Sequence, residues 1–186
     1  MQAFLEHEDT AGIRGEITIR EYPAGTLARV TKLREQGRIK TANALLEQGR
    51  VASVTSNLIM QATNVGKDLI IQRLIGVNTY SLNLAWGEIG TGSTTPAITD
   101  VALTTPVART AMAAGISVDI GNNQAQIQYF FPDAALTNST YTEFGTFVDG
   151  SATLSTGQLF NHALFAAPYT KAAGTDITVQ VTITLT

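Results

Sequence analysis

The chain has 186 residues, enough for one domain with a complete core. It is 44% hydrophobic, only 15% charged, and carries a net charge of −3. With no cysteine, a disulfide framework, a thiolate metal site and a thiol nucleophile are all excluded.

The opening stretch, Met1-Gln-Ala-Phe-Leu-Glu-His-Glu-Asp9, turns acidic before any apolar run develops, so no cleaved leader is read there. Residues 13–21 alternate apolar and polar and predict a strand, which Tyr22-Pro23-Ala24-Gly25 breaks. Leu27, Val30 and Leu33 then recur at helical spacing, with Thr26 as the expected N-cap and Gly37 as the stop. Ile39, Ala42, Leu45 and Leu46 share a face of a second short helix that Gly49 ends. Both helices are marginal alone, so a helical pair inserted between strands and packed on them is expected.

Val51 to Thr63 is mostly β-branched or apolar and reads as one strand. From Asn64 to Leu74, Val65, Leu69, Ile70 and Leu74 fall at helical spacing before Gly76. Period two returns from Tyr80, with Leu82, Leu84 and Trp86 on one side, and Gly90 to Pro96 is a loop by composition. Further strands are predicted at about 106–120, 124–131, 139–149 and 157–167. The last ten residues alternate without error: Ile177, Val179, Val181, Ile183 and Leu185 against threonines and Gln180. The expected fold is mainly β: an antiparallel, jelly-roll-like β-sandwich with six or seven strands after residue 76 and a short helical insertion near the N-terminus. Residues 1–50 would hold a strand plus the basic helical insert, and residues 51–186 the sandwich with one helix at about 64–75.

A surface so poor in charge must be covered otherwise, and here threonine does it: 27 in all, 20 of them after residue 74. Charge is also uneven. Arg29, Lys32, Arg34, Arg38, Lys40 and Arg50 against Glu35 and Glu47 make a local +4 over residues 29–50, whereas residues 74–186 sum to −5. Such an insert reads as a solvated helical face or as half of a subunit contact, docked on the acidic half of a neighbour. A nucleic-acid partner is not the favoured reading. Phe130 and Phe131 are consecutive on one strand, so one of them faces outward; Phe131 is taken as that residue, at an interface or as a sugar-stacking platform. The terminal strand, through Ile177, Val179 and Val181, is a third expected contact, since an unpaired edge adds to a neighbour's sheet.

Reactive motifs fail their tests. The Gly90-Thr-Gly-Ser-Thr-Thr loop is followed by Pro96 and lacks the lysine of a phosphate-binding loop, and Gly66-Lys67 is preceded by Gln61 where a glycine belongs. There is no Gly-x-Ser-x-Gly elbow. His7 and His162 are the only histidines, and His162 reads as an exposed or hydrogen-bonded sheet residue. No catalytic, cofactor-binding or metal-ligating residue is assigned. The longest apolar runs fall far short of the ~18 residues that cross a bilayer, so no membrane span is expected.

One ordered set of pieces remains. The chain shows Ile89-Gly-Thr-Gly-Ser-Thr-Thr-Pro-Ala97, then Asp100, Leu103 and Arg109, then Tyr141-Thr-Glu-Phe-Gly-Thr-Phe147, Gly157-Gln-Leu-Phe160, Lys171 and the Thr-rich strand from Asp176. A weaker echo lies in Ser56-Asn-Leu-Ile-Met60 and Asn64-Val-Gly-Lys67. In this order, with Thr-Glu-Phe-Gly read as a turn, they resemble a recurrent module of tailed-bacteriophage structural proteins, over about residues 56–186. Residues 22–50 match no part of it. The resemblance implies a non-enzymatic virion component of head, neck, tail, baseplate or fibre. It would be made in the host cytoplasm, without cofactor, and would assemble with copies of itself and with other virion proteins. The competing expectation is a module that binds host surface glycan.

Overall fold

The computed structural model describes residues 13–58 and 61–185. Among the described residues, ten strands lie in two antiparallel sheets packed face to face. They are β1 (Ile13–Pro23), β2 (Arg50–Leu58), β3 (Gln61–Ala62), β4 (Trp86–Gly90), β5 (Pro106–Ala111), β6 (Val118–Gly121), β7 (Gln124–Phe131), β8 (Thr140–Val148), β9 (Gln158–Thr170) and β10 (Thr175–Leu185). One sheet has the order β2-β1-β10-β7-β6, and the other β3-β9-β8-β4-β5 with β3 only two residues long. Seven of the strands follow residue 76, as the turn signals predict.

The perfect alternation of β10 fills the interior. Ile177, Val179 and Val181 are fully buried with Ile17, Ile19, Ile127, Tyr129 and Phe131 of the same sheet, facing Ile89, Phe144 and Ala163 of the other. Two expectations are corrected by this placement. β10 is not an edge: β1 pairs with it from Ile13↔Leu185 to Pro23↔Thr175, and β7 pairs with its other side. Both rows of its backbone groups are already hydrogen-bonded, so no neighbour can add there. Phe131 is not outward-facing either, being 1% exposed inside the sandwich. Its neighbour Phe130 takes the outward position.

Phe130 does not reach solvent freely, because the helical pair lies over it. Helices α1 (Thr26–Glu35) and α2 (Ile39–Glu47) leave the sheet after β1 and return to β2, its direct neighbour. Their apolar faces, Leu27, Val30, Leu33, Ala42 and Leu46, bury Tyr22 on the outer face of that sheet, with Phe130 packed beside them. Gly37, at φ 72°, ends α1 as predicted: its N–H goes to the Arg34 carbonyl and that of Arg38 to the Leu33 carbonyl. Thr26 is not the N-cap. Gly25 holds that position without a side-chain bond, and the N–H of Leu27 is met instead by the Asp176 carboxylate at 2.9 Å. Because β1 pairs with β2 and β10, residues 26–47 are an insertion between two neighbouring strands of the sandwich.

Three predicted strands are also revised. Val51–Thr63 is divided: β2 pairs with β1 in one sheet and β3 with β9 in the other, while residues 59–60 lie outside the described residues. The span 106–120 divides in the same way into β5 and β6. Residues 80–85 are irregular despite their alternation, since Leu82 at φ 58° leaves the extended region. Helix α3 (Asn64–Leu74) forms as predicted, capped by the Thr63 hydroxyl, which accepts the Gly66 N–H at 3.0 Å. A side chain at Gly66 would meet the Phe160 carbonyl oxygen at 2.3 Å, so its glycine lets α3 cross β9 closely.

Candidate functional site

The outer face of the second sheet gathers four ionisable side chains. Register puts Glu88 of β4 opposite Arg109 of β5 and opposite Gly145 of β8, with His162 of β9 on the far side of Gly145. Their chain neighbours Ile89, Ala108, Phe144 and Ala163 contribute to the core, so alternation turns this set away from it. An outer face is ordinarily wet. Here Glu88, Glu143 and His162 are all buried, because two long loops lie across it.

Glu143 holds the first loop, residues 91–105. Its Oε1 accepts the N–H groups of Gly92 at 3.0 Å and Thr105 at 2.7 Å, and its Oε2 accepts that of Thr104 at 3.0 Å. His162 Nε2 sits 2.9 Å from the same Oε2, and its Nδ1 lies 2.7 Å from Asp100 Oδ2, which also accepts the Ala97 N–H at 2.8 Å. Both histidine contacts are hydrogen bonds at once when the ring carries two protons, a positive charge between two carboxylates. The Thr142 hydroxyl adds a bond to the Gly92 carbonyl at 2.6 Å. The glycines of Gly90-Thr-Gly92 follow from this approach: a side chain at either would come within 2.5 Å of Glu143 Oε1. Leu103 is buried over Gly145, where an added carbon would lie 2.9 Å from it.

Glu88 and Arg109 hold the second loop, residues 149–157. They form an ion pair at 3.0 Å with both side chains out of solvent. Glu88 Oε2 accepts the Ser155 N–H at 2.9 Å, and Arg109 donates to the Thr156 carbonyl at 2.6 Å. The guanidinium lies 4.4 Å from the Phe147 ring centre and 5.3 Å from that of Trp86, where the ring faces attract a cation. Glu88 Oε1 and Arg109 Nε have no partner among the described residues, so the pair is not fully satisfied.

A third knot closes the end of β10. The buried ammonium of Lys171 donates to Asp133 and to Asn138 Oδ1. Asp176, also buried, accepts the N–H groups of Leu27 and Asp133 at 2.9 Å each. The bond from Lys171 holds the Asp133 carboxyl below the ordinary aspartate range, and backbone N–H groups of Thr175 and Gly174 act in the same direction. A carboxyl depressed on folding adds stability above its unfolded pKa and loses it as pH falls through the folded one. Urea unfolding measured at falling pH, through and below the ordinary aspartate range, should therefore show declining stability with a flatter decline in Asp133→Asn. Equal slopes would refute the linkage.

The residues singled out from the sequence are dispersed by the fold. Arg29, Lys32, Arg38 and Lys40 are exposed on the helical pair and form no ion pair with another described residue. Arg34 is turned inward, donating to Asn43 Oδ1 at 3.0 Å and to the Gly115 carbonyl, and Arg50 pairs with Glu21. Phe131, Ile177, Val179 and Val181 are in the core. The acidic half expected to receive the basic insert is partly taken up by contacts of its own. Of the seven acids behind its −5, Glu88, Glu143 and Asp176 are buried, and Asp100, Asp133 and Asp149 are hydrogen-bonded to His162, Lys171 and Ser81. His162 is 1% exposed and not at the surface, although the hydrogen-bonded reading holds. His7 lies outside the described residues. The Thr-Glu-Phe-Gly segment is not a turn but the middle of β8, where Glu143 does its anchoring.

A histidine between two carboxylates can pass a proton, but this one has both nitrogens engaged. It lines neither of two openings found among the described residues. The carboxylates stand on opposite sides of the ring, and among the described residues no three His, Asp or Glu side chains converge to hold a metal ion. What the arrangement does is fasten loops. One opening is an apolar cleft of about 850 Å³ at the end of the sandwich near Leu82, Met112 and Leu185; the other, of about 500 Å³, lies between the helical pair and the first sheet. Comparison with protein-family models, with curated proteins and with solved structures finds no match.

Proposed function

We propose that this protein is a non-enzymatic structural component of a tailed-bacteriophage particle, which associates with copies of itself and joins other virion proteins. The observation that carries the reading is where the residues behind the resemblance meet. Gly90, Gly92, Asp100, Leu103, Arg109 and Glu143 come from separate stretches of the chain, yet they meet on one face of one sheet, in two sets of contacts that clamp two loops onto it. Their task on this reading is mechanical, since Glu143 and the Arg109 side chain are buried under the loops they hold. Rigid loops on a charge-poor sandwich suit a subunit that must present the same surface in every copy.

Contact with a sibling falls to α3 on this reading. Ile71, Leu74 and Ile75 are 55%, 76% and 72% exposed, one apolar stripe at the end of that helix with Val77 beyond it. Covering such a stripe removes apolar area from water, at roughly 25 cal/mol per Å². Native mass spectrometry of the full chain should give a defined ring or trimer. The double variant Leu74→Glu, Ile75→Glu should shift it to monomer with an unchanged far-UV circular-dichroism spectrum, since neither side chain is in the core, and should remove any dependence of thermal unfolding on protein concentration. A wild-type monomer at every concentration overturns the proposal, and a fully assembled double variant overturns the role of α3.

A further inference from the structure

We infer that the groove between the helical pair and the outer face of the first sheet is a binding site for a carboxylated saccharide. This goes beyond assembly and does not depend on it. The groove's floor is a row of polar side chains set by strand register. Gln180 of β10 stands directly opposite Gln128 of β7; Gln126 lies two residues along on the same face, and Arg20 comes from β1. All four are half-buried, and none of these side chains is hydrogen-bonded to another described residue. Arg34 on the groove's wall is tied to Asn43, so Arg20 is the lining arginine whose side chain has no hydrogen bond to another described residue. Four polar side chains facing one concavity without a bond to another described residue leave their donors and acceptors open to a ligand.

The volume, about 500 Å³, takes one or two sugar rings. Glutamine amides both donate and accept, which matches hydroxyl groups of mixed role. Leu46 and Ile116 on the wall offer apolar surface to the C–H side of a ring. Charge sets the ligand's sign. Arg20 and Arg34 outnumber Glu47 among the lining residues, and a guanidinium binds a carboxylate through paired N–H groups. A neutral sugar would leave the Arg20 guanidinium as it is now, without a hydrogen bond or an ion pair among the described residues.

The experiment is an NMR titration of the full chain with glucuronic acid and, separately, with glucose. Glucuronate should give saturable shifts of the side-chain amides of Gln126, Gln128 and Gln180, and glucose should bind at least about tenfold more weakly. Arg20→Gln should weaken glucuronate by a similar factor and bring the two sugars level. Gln128→Glu, a change of charge with almost no change of size, should abolish the glucuronate shifts while leaving the backbone spectrum intact. Absent or non-saturating shifts, shifts mapped elsewhere, equal binding of glucose by the wild type, or unchanged affinity in both variants would each overturn the assignment. Oligomeric state is read separately, so a failure here leaves the assembly proposal standing or falling by its own measurement.

Discussion

Glu143→Ala is expected to cost about 3–5 kcal/mol of stability, the largest loss from any single side chain outside the apolar core. The carboxylate, itself buried, accepts three backbone N–H groups and faces the buried His162 at 2.9 Å; the bonds to Gly92 and His162 are away from water, and those to Thr104 and Thr105 are partly so. Removing it leaves those donors without partners and the histidine beside a void. Each stranded buried donor carries a penalty of about 1–3 kcal/mol, partly relieved if the loop lifts and admits water. The loss should therefore be local as well as global. Amide hydrogen exchange at Gly92, Thr104 and Thr105 should accelerate far more than exchange in β1 or β10. Glu143→Gln keeps the shape and one carbonyl oxygen, so it should fall between wild type and alanine. Protected amides at 92, 104 and 105 in the alanine variant would show that the loop is held by its own packing.

Arg109→Met should be nearly as damaging, at about 3–5 kcal/mol, because it strands a buried carboxylate. The companion Glu88→Leu strands a buried guanidinium and should lose a similar amount. Their combination is the informative measurement. With Glu88 Oε1 and Arg109 Nε already lacking partners, the pair returns little beyond its desolvation cost, and the Met–Leu replacement should recover most of either single loss. Denaturant unfolding of the four proteins closes the cycle. Additive losses would mean that each group acts through its own contacts, Arg109 on Thr156 and the Phe147 ring, Glu88 on Ser155, and not through the other. The loop 149–157 serves as the local reporter, its Ser155 amide losing protection wherever Glu88 is removed.

Much of the architecture was legible in residues 13–21, 64–76 and 177–185, where alternation, helical spacing and a stopping glycine agree with the elements that form. The errors share one cause. In 51–63 and 106–120 the pattern runs on while the chain leaves one sheet for the other, and periodicity records which way side chains point, not which sheet receives them. In 80–85 alternation is present without pairing, because Leu82 takes a left-handed backbone that ends any strand. The candidate site was less legible still. Glu143 and His162 sit at outward positions of their strands, and an outward acid reads as solvated. A signal was nonetheless present: Gly90, Gly92 and Gly145 are glycines in or beside strands, where a glycine marks another chain segment in contact.

Local pattern in the chain was enough for the sandwich, the inserted helical pair and the composition of the core, since alternation, helical spacing and glycine stops act within a few residues of one another. It took the closed fold to establish that the strongest charges of the C-terminal half are buried, that β10 is a central strand, and that an amide-lined groove faces Arg20. Each of those depends on which distant segment comes to lie over a given face. Glu143 meets Gly92 from 51 positions away and Asp176 caps Leu27 from 149, so the environment of a charged group is set by the closure of the whole fold.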